Sequence, residues 1–420
     1  MPRTLEQWLD YQLRTHPQPI AMGLERVAEV ASRLQLGRPA AQVVVVAGTN
    51  GKGSTVAFME AIARAAGLRV GAFTSPHLLR YNERIRVDGR DADDATLVAA
   101  FEAIEVARGE IALTYFEFGT LAALWVFARA GLDLALLEVG LGGRLDAVNI
   151  VDADVAVITT VDLDHQEYLG PDRESIGAEK AGILRAGKPC VLAERDPPSS
   201  VLREAYRIGA PAVRGHSDYL VERSESAWTW REPGYEIALP LLALDAPAQF
   251  DNAAAAIAAL RTLPLEIDDD AIRIGVAAAR VPGRLQRLQD APELVVDVAH
   301  NPQAAAQLAA WLQAHPRPTR AVFSALADKD IAAIATLLDP LLLGWHVAGI
   351  GDAGARGLEG EAVAARLPVS GERVATHARV AQALAAALAE SQPGDRVLVF
   401  GSFHTVADAL RAYAGEAGRV

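Results

Sequence analysis

The first strongly patterned segment is Val43-Val44-Val45-Val46, a β-branched run that predicts a central strand buried on both faces. It leads straight into Gly48-Thr49-Asn50-Gly51-Lys52-Gly53-Ser54. Beyond that loop, Val56, Met59, Ile62, Ala63 and Ala66 recur at helical spacing, and Gly67 supplies the stop. Residues 69–74 predict the next strand, so the opening unit is strand–loop–helix–strand, the building block of a parallel sheet. Apolar runs at 132–139 (broken only by Asp133 and Glu138), 155–160 and 189–193 predict further strands. Helical patterns at 116–130 and 174–185 lie between them, and the alternation predicts a doubly wound α/β domain.

A second alternating series starts near Glu293, with strands predicted at 294–298, 321–324, 345–350 and 396–400. Asn301-Pro302 suits the start of an intervening helix, Asn as N-cap and Pro in the first turn. Val281-Pro282-Gly283-Arg284 marks the junction between the two series, and residues 210–240, with Trp228 and Trp230, read as short strands or loops. The expected fold class is therefore α/β. A P-loop-type ATPase domain with a mainly parallel sheet is expected over residues 1–285, and a smaller Rossmann-like α/β domain over 286–420.

Composition narrows the field. A chain of 420 residues exceeds one ordinary core, which agrees with two domains. With 40 Lys and Arg against 53 Asp and Glu, the formal charge is -13, which argues against a nucleic-acid backbone as main ligand. Cys190 is the only cysteine, so no intrachain disulfide or multi-cysteine metal site can form. The first sixteen residues carry charges without an apolar signal core, and no apolar run approaches the ~20 residues of a membrane span. The expectation is a cytoplasmic monomer acting on small molecules, with neither nucleic acid nor membrane as partner.

The candidate chemistry begins at the glycine loop. Glycines allow a tight turn and bring N–H groups close to phosphate, the following helix N-terminus adds positive partial charge, and Lys52 can reach phosphate oxygens. The loop departs from the common P-loop, since Val46 stands where the first Gly belongs and Gly53 separates Lys52 from the Ser54 hydroxyl. A ligand-free glycine turn is the competing reading.

Further chemistry is predicted at strand ends. In Thr74-Ser75-Pro76-His77, Pro76 turns the chain out of its strand and leaves the Ser75 hydroxyl available. Glu138 ends an apolar strand, where a carboxylate must be paired, metal-bound or exposed. Asp162-Leu163-Asp164-His165 follows another strand end. Carboxylate, hydroxyl and imidazole there could hold Mg²⁺, although His is an unusual ligand for so hard an ion. Lys180, on the predicted helix among small and apolar neighbours, is either a surface lysine paired to a helix carboxylate or a buried amine of lowered pKa able to form a carbamate with CO₂.

Taken together, these blocks resemble the folylpolyglutamate synthase/dihydrofolate synthase family of the Mur ligase superfamily, bacterial bifunctional type. The resemblance runs from Met22-Gly23-Leu24-Glu25-Arg26-Val27 to Gly401-Ser402-Phe403-His404-Thr405. Tyr115-Phe116-Glu117-Phe118-Gly119-Thr120, Leu169-Gly170-Pro171-Asp172-Arg173-Glu174 and Asp297-Val298-Ala299-His300-Asn301-Pro302 match between. The resemblance implies that Thr49, Asn50, Gly51, Lys52, Gly53 and Ser54 hold ATP phosphates, with Asn252, Arg284 and Asp297 as further ATP contacts. It assigns Ser75, Glu138 and His165 to magnesium, and Lys180 to a carbamate near a second Mg²⁺. Met22, Gly23, Leu24, Glu117, Phe118, Gly119, Asp146, Ala147 and Val148 approach the pterin. His300 belongs to an ATP-facing motif, and Ser402 and His404 help seat glutamate. From the residues alone, Arg284 could instead brace a linker, Asn252 cap a helix and Asp297 support a turn.

The implied reaction joins L-glutamate to dihydropteroate, or to the γ-glutamyl chain of a folate. A carboxylate is a poor electrophile, so it would first take the γ-phosphoryl group of ATP as an acyl phosphate, which the glutamate amine then attacks. Lys52, Lys180 and His300 are the implied catalytic residues, and ATP is expected between the two domains. The alternatives are a Mur-type muramyl ligase, for which the loop at residue 48 leaves little room for a sugar-nucleotide domain, a monofunctional folylpolyglutamate synthase, a nucleotide switch, and a non-catalytic carrier.

Overall fold

The computed structural model describes residues 3–18, 20–242 and 246–417. These fall into two compact units, Met1–Ala243 with Gln249–Arg280, and Leu244–Ala248 with Val281–Val420.

The first unit is built on eight strands: β1 (Gln42–Ala47), β2 (Val70–Phe73), β3 (Ile85–Val87), β4 (Arg90–Asp91), β5 (Leu134–Glu138), β6 (Val155–Ile158), β7 (Cys190–Leu192) and β8 (Ala212–Arg214). Their order is β4-β3-β2-β5-β1-β6-β7-β8. All neighbours are parallel except β2–β3 and β3–β4. Val43, Val44, Val45 and Val46 are all fully buried, as a two-faced central strand requires. At ~1.5–3 kcal/mol for each buried valine, they fix the register of β1 and with it the point where the glycine loop emerges.

The register sets Val46 beside Glu138 and Ala47 beside Ile158. Chain connections leave β1 and β6 in opposite directions, β1 towards β2 and β6 towards β7. The loops after these adjacent strands therefore flank a topological switch point, where open α/β sheets bind ligands. The predicted helix at 116–130 is Tyr115–Ala130, started by a Thr114–Glu117 capping box. The helix predicted over 174–185 runs only over Arg173–Ala181. Its C-cap, Gly182, lies against Arg144, whose Cα would sit 2.5 Å from an added Cβ.

Behind the loop, helix Lys52–Ala65 packs on helix Asp269–Ala278 with almost no gap. A Cβ on Gly275 would fall 2.3 Å from the Cα of Ile62. Residues 210–240 contain, besides β8, three antiparallel strands: β9 (Leu220–Arg223), β10 (Ala227–Glu232) and β11 (Tyr235–Pro240), in the order β11-β10-β9. Trp228 and Trp230, two residues apart, are both buried on one face, the period-2 signature of a half-buried strand.

The second unit has six strands: β12 (Gln286–Asp290), β13 (Glu293–Asp297), β14 (Thr319–Phe323), β15 (Gly344–Ala348), β16 (Val374–His377) and β17 (Arg396–Phe400). The order is β12-β13-β17-β14-β15-β16, with β12 antiparallel at one edge. Phe323, Trp345 and Phe400 form its aromatic centre, ring centroids 5.0–6.0 Å apart. Asn301 caps helix Pro302–Ala314 by accepting from the Ala304 N–H at 2.9 Å. Among the described residues, no helix is long and apolar enough to cross a membrane.

Candidate functional site

In the first unit the predicted residues gather at the C-terminal edge of the sheet. Gly51, with φ 89°, is the N-cap of helix Lys52–Ala65. An added Cβ there would lie 2.4 Å from Asn252 Oδ1. The position thus requires glycine for both conformation and space. At Gly48 a Cβ would fall 1.8 Å from Thr159 Oγ1. The loop is tied to the segment after β6 by a set of hydrogen bonds. Thr49 N–H donates to Thr160 O at 2.7 Å and Asn50 N–H to Thr160 Oγ1 at 3.1 Å. Thr159 Oγ1 donates to Asn50 O at 2.6 Å, and Asp162 N–H to Thr49 Oγ1 at 3.0 Å. Lys52 Nζ lies over the loop, 3.0 Å from Gly48 O and 3.3 Å from Thr49 O. The Ser54 hydroxyl is buried and has no hydrogen-bond partner among the described residues. A rigid N–H-rich turn on a helix N-terminus, with a lysine over it, suits a phosphate chain.

Asn252 lies within helix Pro247–Arg261, which corrects its reading as a cap. Its Nδ2 donates to Gln249 Oε1 at 3.1 Å, and its Oδ1 closes over Gly51.

Glu138, at the end of β5, is 4% exposed, which removes the exposed alternative. Its Oε2 accepts the Ser75 N–H at 3.0 Å and would lie 3.6 Å from a Cβ on Gly53, so it borders the glycine loop. His165 adopts φ 51°, ψ 38°, an uncommon backbone for a non-glycine residue. Its N–H donates to Asp164 Oδ1 at 2.9 Å, and its side chain is about one-third exposed. Ser75, Glu138 and His165 bring hydroxyl, carboxylate and imidazole groups to this edge, and Asp162 and Asp164 add carboxylates beside His165. Among the described residues no three His, Cys, Asp or Glu side chains form a ready metal cage. Such a set fits Mg²⁺, which takes few protein ligands and fills its shell with phosphate oxygens and water.

Lys180 is 3% exposed, so the surface-lysine reading is corrected. Burial and then the charge of Lys52 push its pKa from 10.5 down to about 7, against the pull of Asp164, Asp146 and Glu194. Five ionisable groups thus share one field near the loop.

The predicted pterin residues are held inward. Glu117 is buried, accepting the Thr114 N–H at 2.7 Å and pairing with Arg26 at 3.0 Å. Phe118 belongs to the core, and Gly119 lies against the Tyr81 hydroxyl, 2.9 Å from an added Cβ. Asp146 accepts the N–H groups of Leu141 at 2.9 Å and Val148 at 3.0 Å, while burial raises its pKa to about 6. Ala147 and Val148 are buried beside it. Met22, Gly23 and Leu24 are partly exposed. Gly23 N–H donates to Leu145 O at 3.3 Å, and Met22 lies near Gly142.

The second unit gathers its own group. Asp297, ending β13, accepts the N–H groups of Leu285 and Ala299, each at 2.8 Å. It therefore does brace the turn. Its burial raises the pKa, opposed by Arg284, those N–H groups and His300. Arg284 also lies 5.4 Å over the Phe403 ring. His300 Nδ1 is 2.9 Å from Val298 O. Ser402 is buried at the start of helix Phe403–Ala417, where its Oγ accepts the Thr405 N–H at 3.0 Å. His404 is exposed. Sequence reasoning missed Thr159, Thr160 and Glu194, whose only signal is their place just after strand ends.

Known proteins match this arrangement closely. The Mur ligase middle domain family matches residues 46–260, and the Mur ligase glutamate ligase domain family residues 283–403. A dihydrofolate synthase/folylpolyglutamate synthase of Escherichia coli is 46% identical over 409 residues, 97% of this chain and 94% of the relative. The structure of E. coli FolC with DHPP and ADP superposes with a TM-score of 0.94 at 45% identity, covering 100% of this chain and 99% of that one. A bifunctional folylpolyglutamate synthase/dihydrofolate synthase with Mn, AMPPNP and L-glutamate gives 0.91 at 44% identity, covering 98% of each chain. The chain belongs to the dihydrofolate synthase/folylpolyglutamate synthase family of Mur ligases.

Proposed function

We propose that this chain joins L-glutamate to dihydropteroate and extends the γ-glutamyl chain of tetrahydrofolates, with ATP hydrolysed to ADP and phosphate. The observation that carries this reading is the edge where the glycine loop, buried Glu138 and buried Lys180 meet. It is the equipment of an acid-activating ligase, in a chain 46% identical to one named for both activities.

In this reading Thr49 to Ser54 take the phosphate chain, with Asn252 fixing Gly51. Lys52 neutralises charge developing on the transferred phosphoryl group. Ser75, Glu138 and His165 would hold one divalent ion, and a carbamate on Lys180 would serve a second. Bound Mg²⁺ supplies phosphate charge neutralisation. Carbamate formation needs the neutral amine, whose nitrogen bonds to CO₂ as a proton leaves. Residues 1–285 carry the pterin stretches Met22–Leu24, Glu117–Gly119 and Asp146–Val148. In residues 286–420, with the adjoining Arg284, the proposed nucleotide contacts are Arg284, Asp297 and His300, and Ser402 and His404 serve glutamate. The substrate carboxylate takes the γ-phosphoryl group, and the glutamate amine displaces phosphate from the resulting acyl phosphate.

Glutamate-dependent ADP release should appear with dihydropteroate and with tetrahydrofolate, and not with a muramyl amino-acid acceptor. Release with tetrahydrofolate alone would cut the proposal to one activity. Release with the muramyl acceptor alone would overturn it.

A further inference from the structure

Glu194 and Arg173 lie outside every role assigned so far, yet together they grip both backbone polar groups of one residue beside the proposed metal loop. Glu194 follows β7, and its side chain is 14% exposed. Arg173 opens the helix Arg173–Ala181 that carries Lys180. The two form an ion pair at 3.1 Å. Glu194 Oε1 accepts the N–H of Val161 at 3.2 Å, and Arg173 Nε donates to the C=O of Val161 at 2.8 Å. Both backbone polar groups of one residue are therefore held by the two halves of one ion pair. Arg173 Nη2 also donates to Asp196 O at 3.0 Å, which fixes the guanidinium to the segment after β7.

Val161 is where the chain leaves β6. The next residue, Asp162, is held on both its N–H and its C=O by the Thr49 hydroxyl of the glycine loop, at 3.0 and 3.1 Å. Three residues later the backbone enters the left-handed region at His165. A strained residue at a loop end keeps its conformation only if its surroundings over-determine it. The segment 161–165 is pinned first by the ion pair and then by the glycine loop. Burial pushes Glu194 up to about 7 despite Arg173 and the Val161 N–H, with Asp162 adding to the rise, so the carboxylate is held where it is costly to hold.

We infer that the Arg173–Glu194 pair is a positioning device that sets the 161–165 loop, and with it His165, against the phosphate loop. Neither residue is among the groups proposed to touch the reacting atoms. The inference rests on the proposed function, because it takes His165 as a metal-binding group. Its chemistry is that of a second layer behind a metal ligand, where substitutions commonly weaken metal binding roughly 10–100-fold.

The test uses the full-length chain and the variants Glu194→Gln, Glu194→Ala, Arg173→Lys, Arg173→Ala and the double Ala variant. Two quantities are measured: Mn²⁺-supported binding of a non-hydrolysable ATP analogue by calorimetry, and the Mn²⁺ concentration giving half-maximal ADP release. Circular dichroism and thermal melts select variants that fold. Glu194→Ala should raise the Mn²⁺ requirement about tenfold. Arg173→Lys should recover part of the loss from Arg173→Ala, since lysine keeps one charge but not both donor directions. The double variant should lose little more than either single one, as expected of groups acting as a unit. Folded variants with lower melting points but parental Mn²⁺ dependence in both measurements would overturn the inference. Calorimetry needs no acceptor substrate. If the unsubstituted chain bound Mn²⁺ and nucleotide yet released no ADP with a folate acceptor, the proposed function would fail while the clamp was still tested.

Discussion

Lys180 offers the sharpest prediction because the fold treats its charge as a liability. Burial takes its pKa from 10.5 to about 7. At pH 7.5 roughly three-quarters of the folded molecules then hold a neutral amine, against about one in a thousand for an exposed lysine. The same shift has a cost to folding. A lysine with a depressed folded pKa is protonated in the unfolded chain and neutral in the folded one between the two values. Stability therefore rises with pH across about 7 to 10.5, and below pH 7 the full penalty applies. At pH 7.5 the penalty works out at about 4 kcal/mol, a sizeable part of the ~5–15 kcal/mol typical of a whole domain. Lys180→Met keeps the volume and removes the charge. It should raise the melting temperature at pH 7 and flatten its rise towards pH 10, while nearly abolishing glutamate-dependent ADP release. In the parent, ¹³C-bicarbonate should give a carbamate carbon signal that the variant lacks. Lys180→Ala should regain part of its activity when a short carboxylate such as acetate is supplied. A fully active Lys180→Met enzyme would refute the catalytic assignment. A variant with the parent's melting profile would refute the argument from burial.

Gly51→Ala should weaken nucleotide binding strongly, because φ 89° and a contact at 2.4 Å to Asn252 leave the new methyl no room. The backbone strain alone is about 1–3 kcal/mol, and calorimetry with an ATP analogue would read it. Glu138→Ala should raise the Mg²⁺ requirement by roughly tenfold or more, and an unchanged Mg²⁺ titration of ADP release would remove Glu138 from the proposed ligands. Ser402→Ala should lower stability by about 1 kcal/mol in urea unfolding through loss of its helix-start hydrogen bond. A rise in the KM for glutamate well beyond what Ser402→Gly shows would mark a substrate role in addition.

Much of the scaffold could be read from the sequence because its rules are local. The valine run and the glycine loop after it announce a buried strand and a phosphate turn, and Asn301-Pro302 announces a helix start. The strand at 286–290 escaped because Gln, Arg and Asp at an exposed sheet edge carry no apolar alternation. The Lys180 helix is shorter than its apolar spacing suggests, ending at Ala181 with Gly182 packed on Arg144, a contact no periodicity encodes. For the same reason Asn252 looked like a cap: its neighbour Gly51 is two hundred residues away in sequence. Glu194 and Arg173 could not be paired in advance, since only the lateral order of β6 and β7 brings them both to Val161.

The contact between Gly275 and Ile62 has a consequence far from any reactive group. At that crossing a side chain on residue 275 would meet the main chain of Ile62, which cannot swing aside as a flexible side chain can. Any replacement would lever helix Lys52–Ala65 outward, and its opposite tip is the end that presents the glycine turn. Damage at this remote crossing would register as lost nucleotide grip, although the altered residue has no polar atom to offer and lies at the rear of the helix. Inactivating changes in this chain should accordingly include this spot, although it looks chemically inert.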